Sequence, residues 1–302
     1  MTSEGTTIQD RSRPTASTRP TKFRRRRRSP RRVAQRVGNY ALLSFAAVFF
    51  VIPFLILLTT SLTPLGETLF ADPPRLFAWP ATLDAYVTAF NAVPLLTYLG
   101  NSLLYVVTIV PLSAGVCILA GYAFGALEFR GRNVFFLMII ATMFLPAEVM
   151  LIPRFIVTTD LGLANEYLGI ILPSLLTAFG TLIMRQAFAA IPRELRDAAR
   201  IDGANEWQIF RRVMLPVVKP SIAIVAIFGF VNVWNDFLWP LVVLNDESKY
   251  PVALGIAYLA GIGSTDERSL AAGSVVSIIP IVIFFLILQR QIMDGMKGSV
   301  KG

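Results

Sequence analysis

Long apolar stretches without charge alternate with short charged ones along most of this 302-residue chain. After Arg36 no charged residue occurs before Glu67, and none occurs between Asp84 and Glu128. The pattern predicts spans at 40–62 (interrupted by Pro53), 102–127, 133–152 (with Glu148 near its end), 167–184, 221–244 (with Asp236 inside) and 270–288. The stretch 85–127 is too long for one helix. Pro94 and the polar pair Asn101 and Ser102 divide it, so 85–98 reads as a short outer helix. Each span holds roughly 18 to 26 residues, enough to cross a hydrocarbon core of ~30 Å at about 1.5 Å per residue. Backbone inside lipid must bond to itself, so the spans are expected to be helices, not strands. The expected fold is an all-α membrane protein with six transmembrane helices.

Composition agrees: 55% of the residues are hydrophobic and only 16% charged. Soluble domains carry about a quarter charged residues, because their large solvent-facing area needs polar cover. The net charge of +9 is not spread evenly: the first 36 residues hold twelve basic and two acidic residues, leaving the rest at −1. No aromatic stacking platform accompanies Arg24 to Arg28, so nucleic acid is not an expected partner. Residues 1–37, rich in Arg, Ser, Thr and Pro, read as a disordered basic cytoplasmic tail, and 38–302 as the transmembrane domain. The Arg tract suits a topology anchor resting on anionic headgroups of the lipid membrane.

Loop charges set the orientation. Segments 128–132, 185–219 and the tail after 288 sum to +1, +3 and +2, whereas 63–84, 154–166 and 245–268 sum to −2, −1 and −2. By the positive-inside rule both termini are expected in the cytoplasm. The first apolar run is too long for a signal core and lacks a small-x-small cleavage site, so it reads as a retained span.

The chain holds no histidine and one cysteine, Cys117. That removes histidine-based acid–base catalysis, most zinc sites and any disulfide framework. No phosphate-binding Gly-rich loop ending in Gly-Lys-Ser/Thr occurs, so the chain is not expected to hold ATP. No catalytic residue, metal site or bound cofactor is expected, and energy must come from an ion gradient or another subunit.

Segment 185–219 is a cytoplasmic insertion with strong helix grammar. Pro192 and Glu194 suit a first turn. Leu195, Ala198, Ala199 and Asp202 then share one small, mostly apolar face, and Gly203 stops the helix. Asn205 with Gln208 reads as a capping box for a second helix, with Trp207, Phe210, Val213 and Met214 inward and Arg211 and Arg212 outward. A hairpin with a small-residue face suits docking to a partner; the alternative is a loop folded on its own helices. Gly121 and Gly125, with Gly115 and Ala114 upstream, make a small-residue face for close helix packing, with Cys117 as a packing residue. Asp236, an acid inside a span, marks a candidate translocation path with Trp234 and Asn235. Alternatively these residues pin helix packing or lie in an aromatic belt.

The hairpin string ELRDAARIDGANEWQIFRRVMLP, from Glu194 to Pro216, resembles the EAA loop of ABC importer permeases. More narrowly it is similar to the carbohydrate-uptake branch that includes the second maltose permease subunit. The likeness runs through 38–302 and is carried by a collinear set. The set comprises Asn101-Ser102-Leu103, Ala120 to Phe124, Phe129 to Arg132, Ile152-Pro153, Leu161 to Leu163, Ile171 to Pro173, Trp234 to Pro240 and Val300 to Gly302. Arg196 and Asp197 depart from it, since the family often has two acidic residues there. The resemblance implies a type I importer permease fold with a cytoplasmic EAA coupling-helix hairpin. It implies Glu194, Ala198, Ala199, Asp202 and Gly203 as ATPase-coupling contacts. The implied partners are a second, unlike permease subunit, two ATPase subunits carrying ATP and Mg, and an extracytoplasmic solute-binding protein. It places the chain in a bacterial inner membrane, with 245–268, including Gly261, Gly263 and Ser264, facing the binding protein. In the maltose relative the sugar is held mainly by the other permease subunit.

The expected function is the permease subunit of an ATP-driven, binding-protein-dependent importer of a sugar. The alternatives are the same machine carrying a glycerol phosphate ester or polyol, a gradient-driven secondary transporter, or a non-transporting scaffold. Secondary transport calls for ionisable or broken-helix sites at mid-membrane, and the sequence offers chiefly Asp236.

Overall fold

The computed structural model describes residues 30–66, 80–261 and 266–299, and every regular element among them is helical. The chain divides into two units, Met1–Ile52 and Pro53–Gly302. In the first, the described residues form the leading part of α1 (Pro30–Ser61). Its aromatic side chains Tyr40, Phe45, Phe49 and Phe50 are 63 to 71% exposed, as suits a helix surrounded by lipid. Residues 30–37 are helical, which shortens the expected disordered tail from its C-terminal side; 1–29 lie outside the described residues.

The second unit is built on α3 (Leu95–Ala126), preceded by α2 (Asp84–Ala92). The break between them lies at Val93 and Pro94, where the extended Val93 backbone obeys the restriction before proline. Asn101 and Ser102 therefore do not start a span, as the sequence pattern suggested. They sit buried inside α3, with their polar groups bonded to the chain around residues 248–252.

The third expected span is also broken. α4 (Arg132–Ala141), extended by a 3-10 turn to Phe144, meets α5 (Ala147–Asp160) at 113°. Pro146 holds Leu145 extended and ends the first piece. The fourth span comprises α6 (Tyr167–Ile171), a 3-10 turn and α7 (Ala178–Ala189), where the Thr177 hydroxyl caps the restart by accepting from the Gly180 amide.

Next comes α8 (Arg193–Ile201), then α9 (Glu206–Gln208), a π-helical stretch Ile209–Met214 and α10 (Leu215–Val217). The fifth span is α11 (Lys219–Asn235), which stops at Asp236; α12 (Leu238–Val243) follows after a break. The Asp236 carboxylate accepts from the Trp239 amide at 3.3 Å, so the acid caps the new helix rather than continuing the old one. α13 (Val252–Gly261) and the long α14 (Glu267–Ser299) are the last described elements. Among the described residues four helices are long and apolar enough to cross a membrane, and up to six if each bent pair counts as one span.

Two apolar cores hold these helices. One joins α2, α3, α11, α13 and α14 around Tyr98, Tyr105, Trp234, Leu254 and Leu259. The other joins α3 and α7 to the π-helical stretch through Cys117, Tyr122, Met184, Phe188, Ile209, Phe210 and Met214. The approach of α3 to α7 depends on Gly121: a Cβ there would lie 2.7 Å from the Met184 carbonyl carbon and 2.9 Å from the Arg185 nitrogen. This is the close packing expected of the small-residue face at Gly121 and Gly125, whereas Gly115 has nothing within 4 Å and takes no part in it.

Candidate functional site

The hairpin of α8 and α9 is closed by two local motifs. At the end of α8 the Gly203 amide donates to the Arg200 carbonyl and the Ala204 amide to the Ala199 carbonyl, both at 3.0 Å. With Gly203 at φ 82° this is a Schellman stop, a backbone conformation that side chains with a Cβ resist. One residue after Ala204, Asn205 and Gln208 form the reciprocal capping box, each side chain oxygen accepting from the other's amide at 2.9 Å. The turn is fixed by backbone bonds, so the two short helices move as one piece.

The inner face of this piece is anchored. Ile209, Phe210 and Met214 belong to the α3–α7 core, and the Phe210 ring lies 4.9 Å from that of Tyr122. Ala199 packs partly against the same core, while Ala198, its neighbour in the expected docking face, is exposed. Trp207 is 61% exposed, not inward as its spacing suggested. The π-helical stretch adds a residue per turn and carries the buried positions to Ile209, Phe210 and Met214. The outer face presents Leu195, Ala198, Ile201 and Trp207, with Ile201 87% exposed. Glu194, Asp202 and Gly203 are exposed on the same hairpin. Ile201 was missed at the sequence level because its place in the arginine- and aspartate-rich run conceals it.

Glu206 is the polar hub of the hairpin. Its carboxylate accepts from the Tyr122 hydroxyl of α3 and pairs with Arg200 at 3.0 Å and Arg196 at 3.4 Å. Burial alone would push this carboxyl up. The bonds from Tyr122 and Arg200 and the charges of Arg196 and Arg200 outweigh it, and the group ends below the ordinary carboxylate range. Arg196 also donates to the carbonyl of Ala126, the last residue of α3. Arg196, which departs from the pattern that the hairpin string resembles, thus ties the hairpin to a helix C-terminus, where a cation is favoured.

The candidate path residues fall in three different settings. Trp234 is 2% exposed in the core around Tyr98 and Tyr105 and donates its indole N–H to the Ser277 carbonyl. Asn235 is exposed and donates to the Val231 carbonyl of its own helix. Asp236 lines a cavity of about 260 Å³ between α3, α5, α7 and α11, together with Asn232 and Arg154. Arg154 was expected in an outer loop; it lies inside α5, where the helix continues through Pro153. Gly261 ends α13, while Gly263 and Ser264 lie outside the described residues. No cluster of acidic or thiol side chains suited to a metal occurs among the described residues.

A family model described as binding-protein-dependent transport system inner membrane component matches residues 117–298. The chain is 39% identical over 272 residues to the arabinooligosaccharides transport system permease protein of Halalkalibacterium halodurans, covering 87% of this chain and 95% of the relative. It is 32% identical over 270 residues to the lactose transport system permease protein of Rhizobium radiobacter, covering 88% and 96%. Its structure is similar to a chain of a bacterial ABC transporter involved in the import of the acidic polysaccharide alginate. That match has a TM-score of 0.72 and 27% identity and covers 87% of this chain and 98% of the other.

Proposed function

The chain belongs to the binding-protein-dependent transport system inner membrane components, and from that premise we propose that it is a permease subunit of an ATP-driven importer of sugars or oligosaccharides. It works in a bacterial inner membrane with a second permease subunit, two ATPase subunits that carry ATP and Mg, and an extracytoplasmic binding protein. Both termini and the hairpin 185–219 face the cytoplasm, in line with the positive loops on that side.

The observation that carries the reading is the two-faced hairpin: Ile209, Phe210 and Met214 locked into the α3–α7 core, with Leu195, Ala198, Ile201 and Trp207 left outside. A rigid piece anchored on one side and apolar on the other transmits displacement from a partner to the membrane helices. Closure of the ATPases on ATP draws the hairpins together and switches the bundle from inward-facing to outward-facing. Glu194, Ala198, Ala199, Asp202 and Gly203 form this coupling element, and the segment 245–268, with Gly261, Gly263 and Ser264, faces the binding protein.

The test is a cysteine in place of Ile201 in the assembled importer, with Cys117 replaced by serine. The expected result is a crosslink to an ATPase cysteine whose yield changes with nucleotide. An intact complex without any such crosslink would overturn the coupling role.

A further inference from the structure

The cavity beside Asp236 holds an unbalanced set of hydrogen-bonding groups. Ser113, near the middle of α3, Thr177, Asn232, Arg154 and Asp236 line it, with Phe228 on an apolar wall. The Arg154 guanidinium lies over the Trp239 ring, 4.0 Å from its centroid, and donates to the Ser174 hydroxyl at 3.2 Å. Its Nε is buried and has no partner. Asp236 spends one oxygen on the Trp239 amide. No direct bond joins the two charges, although they line the same space.

A charge in the membrane interior is costly unless it meets a partner. A pair serving packing alone is expected to close on itself. Here the two charges are held apart by their own partners, Ser174 and Trp239 for Arg154 and the α12 amide for Asp236. The space they line has a net charge of zero, with a guanidinium donor, a carboxylate acceptor and the mixed groups of Ser113, Thr177 and Asn232 in its walls. A sugar hydroxyl both donates and accepts, so it can satisfy both kinds of group at once. A cavity of zero net charge gives an ion no net attraction to offset the loss of its hydration, so a charged solute is disfavoured against a neutral one.

We propose that this cavity holds cargo in transit, that the cargo is an uncharged polyhydroxylated solute, and that Arg154 and Asp236 contact it directly. Arg154 donates to a sugar oxygen from its guanidinium, and Asp236 accepts from a hydroxyl. This rests on the importer reading and adds to it a contact made by this subunit and a charge class for its cargo.

The test uses the complete importer in proteoliposomes with its own binding protein. Labelled arabinotriose and lactose are the neutral probes; digalacturonate and glycerol 3-phosphate are the anionic ones. The wild type is expected to accumulate a neutral probe. Arg154→Gln and Asp236→Asn should each lower its uptake at least tenfold, while assembly and binding-protein-stimulated ATP hydrolysis stay within twofold. Arg154→Lys should recover part of the uptake, and the double variant should stay as slow as the single ones. Uptake restored in the double variant, or assembly lost in the single variants and regained in the double, makes the pair structural and overturns the proposal. Unchanged uptake in Arg154→Gln does the same. Accumulation of anionic probes alone removes the neutral-cargo assignment and leaves the importer reading standing. Uptake independent of ATP and the ATPase removes the importer reading itself.

Discussion

The Asn101 side-chain amide donates to the Tyr250 carbonyl at 3.0 Å, tying the first turns of α3 to a segment 149 residues further along the chain. The same amide reaches the Ser248 carbonyl at 2.7 Å, Tyr105 donates to the Lys249 carbonyl at 3.0 Å, and Ser102 accepts from the Val252 amide at 2.8 Å. Residues 248–252 thus have little backbone freedom where they lead into α13. Replacing Asn101 with alanine leaves two carbonyls without that donor and should cost about 1–3 kcal/mol. Asn101→Asp should cost more, because it sets a carboxylate against those carbonyls. Thermal unfolding in detergent measures both; a wild-type midpoint for Asn101→Asp would refute this account of the segment.

Two glycines on α3 separate packing from flexibility. At Gly121 an added Cβ collides with the Met184 and Arg185 backbone, which a rotamer change cannot relieve. Gly121→Ala should destabilise the protein by about 1–3 kcal/mol and push α3 from α7. At Gly115 nothing lies within 4 Å of the same atom, and Gly115→Ala should be neutral or stabilising by about 0.4–1 kcal/mol. The comparison is read from the fraction of monodisperse protein after graded heating. Equal losses at the two positions would rule out close approach as the reason for Gly121.

What the sequence made legible was local. The ends of the hairpin, Gly203 and Asn205, were readable because a Schellman stop and a capping box need only residues within a few positions. Asn101 and Ser102 misled because a polar pair inside an apolar run reads as a break, and their acceptors lie about 150 residues away. Trp207 misled because a 3.6-residue period groups it with Phe210, Val213 and Met214, whereas the π-helical stretch that follows it puts Ile209, Phe210 and Met214 on the buried side. Asp236 was visible as an acid in apolar surroundings. Its facing charge was not, since Arg154 follows Pro153 and looked like the start of a loop, whereas α5 runs through that proline.

Glu206 makes the hairpin's attachment depend on pH, with a sign that follows from its environment. Its carboxyl is held below the ordinary range of about 4.3, so it favours the attached hairpin wherever the unfolded group would already be ionised. That contribution is fully present at neutral pH and is lost as pH falls through the lowered value. Amides of 196–214 should therefore keep their hydrogen-exchange protection from pH 7 to about 5 and lose it below about 4, after correction for intrinsic exchange. The side chain is 40% exposed, so salt should weaken the effect as well. Glu206→Gln keeps the shape but removes the charge that Arg196 and Arg200 meet. Its protection at pH 7 should already be reduced, and its acid response should be flatter than the wild type's. If the Gln variant instead traced the wild-type curve, the acid sensitivity would lie with another carboxylate and Glu206 would not be the clamp.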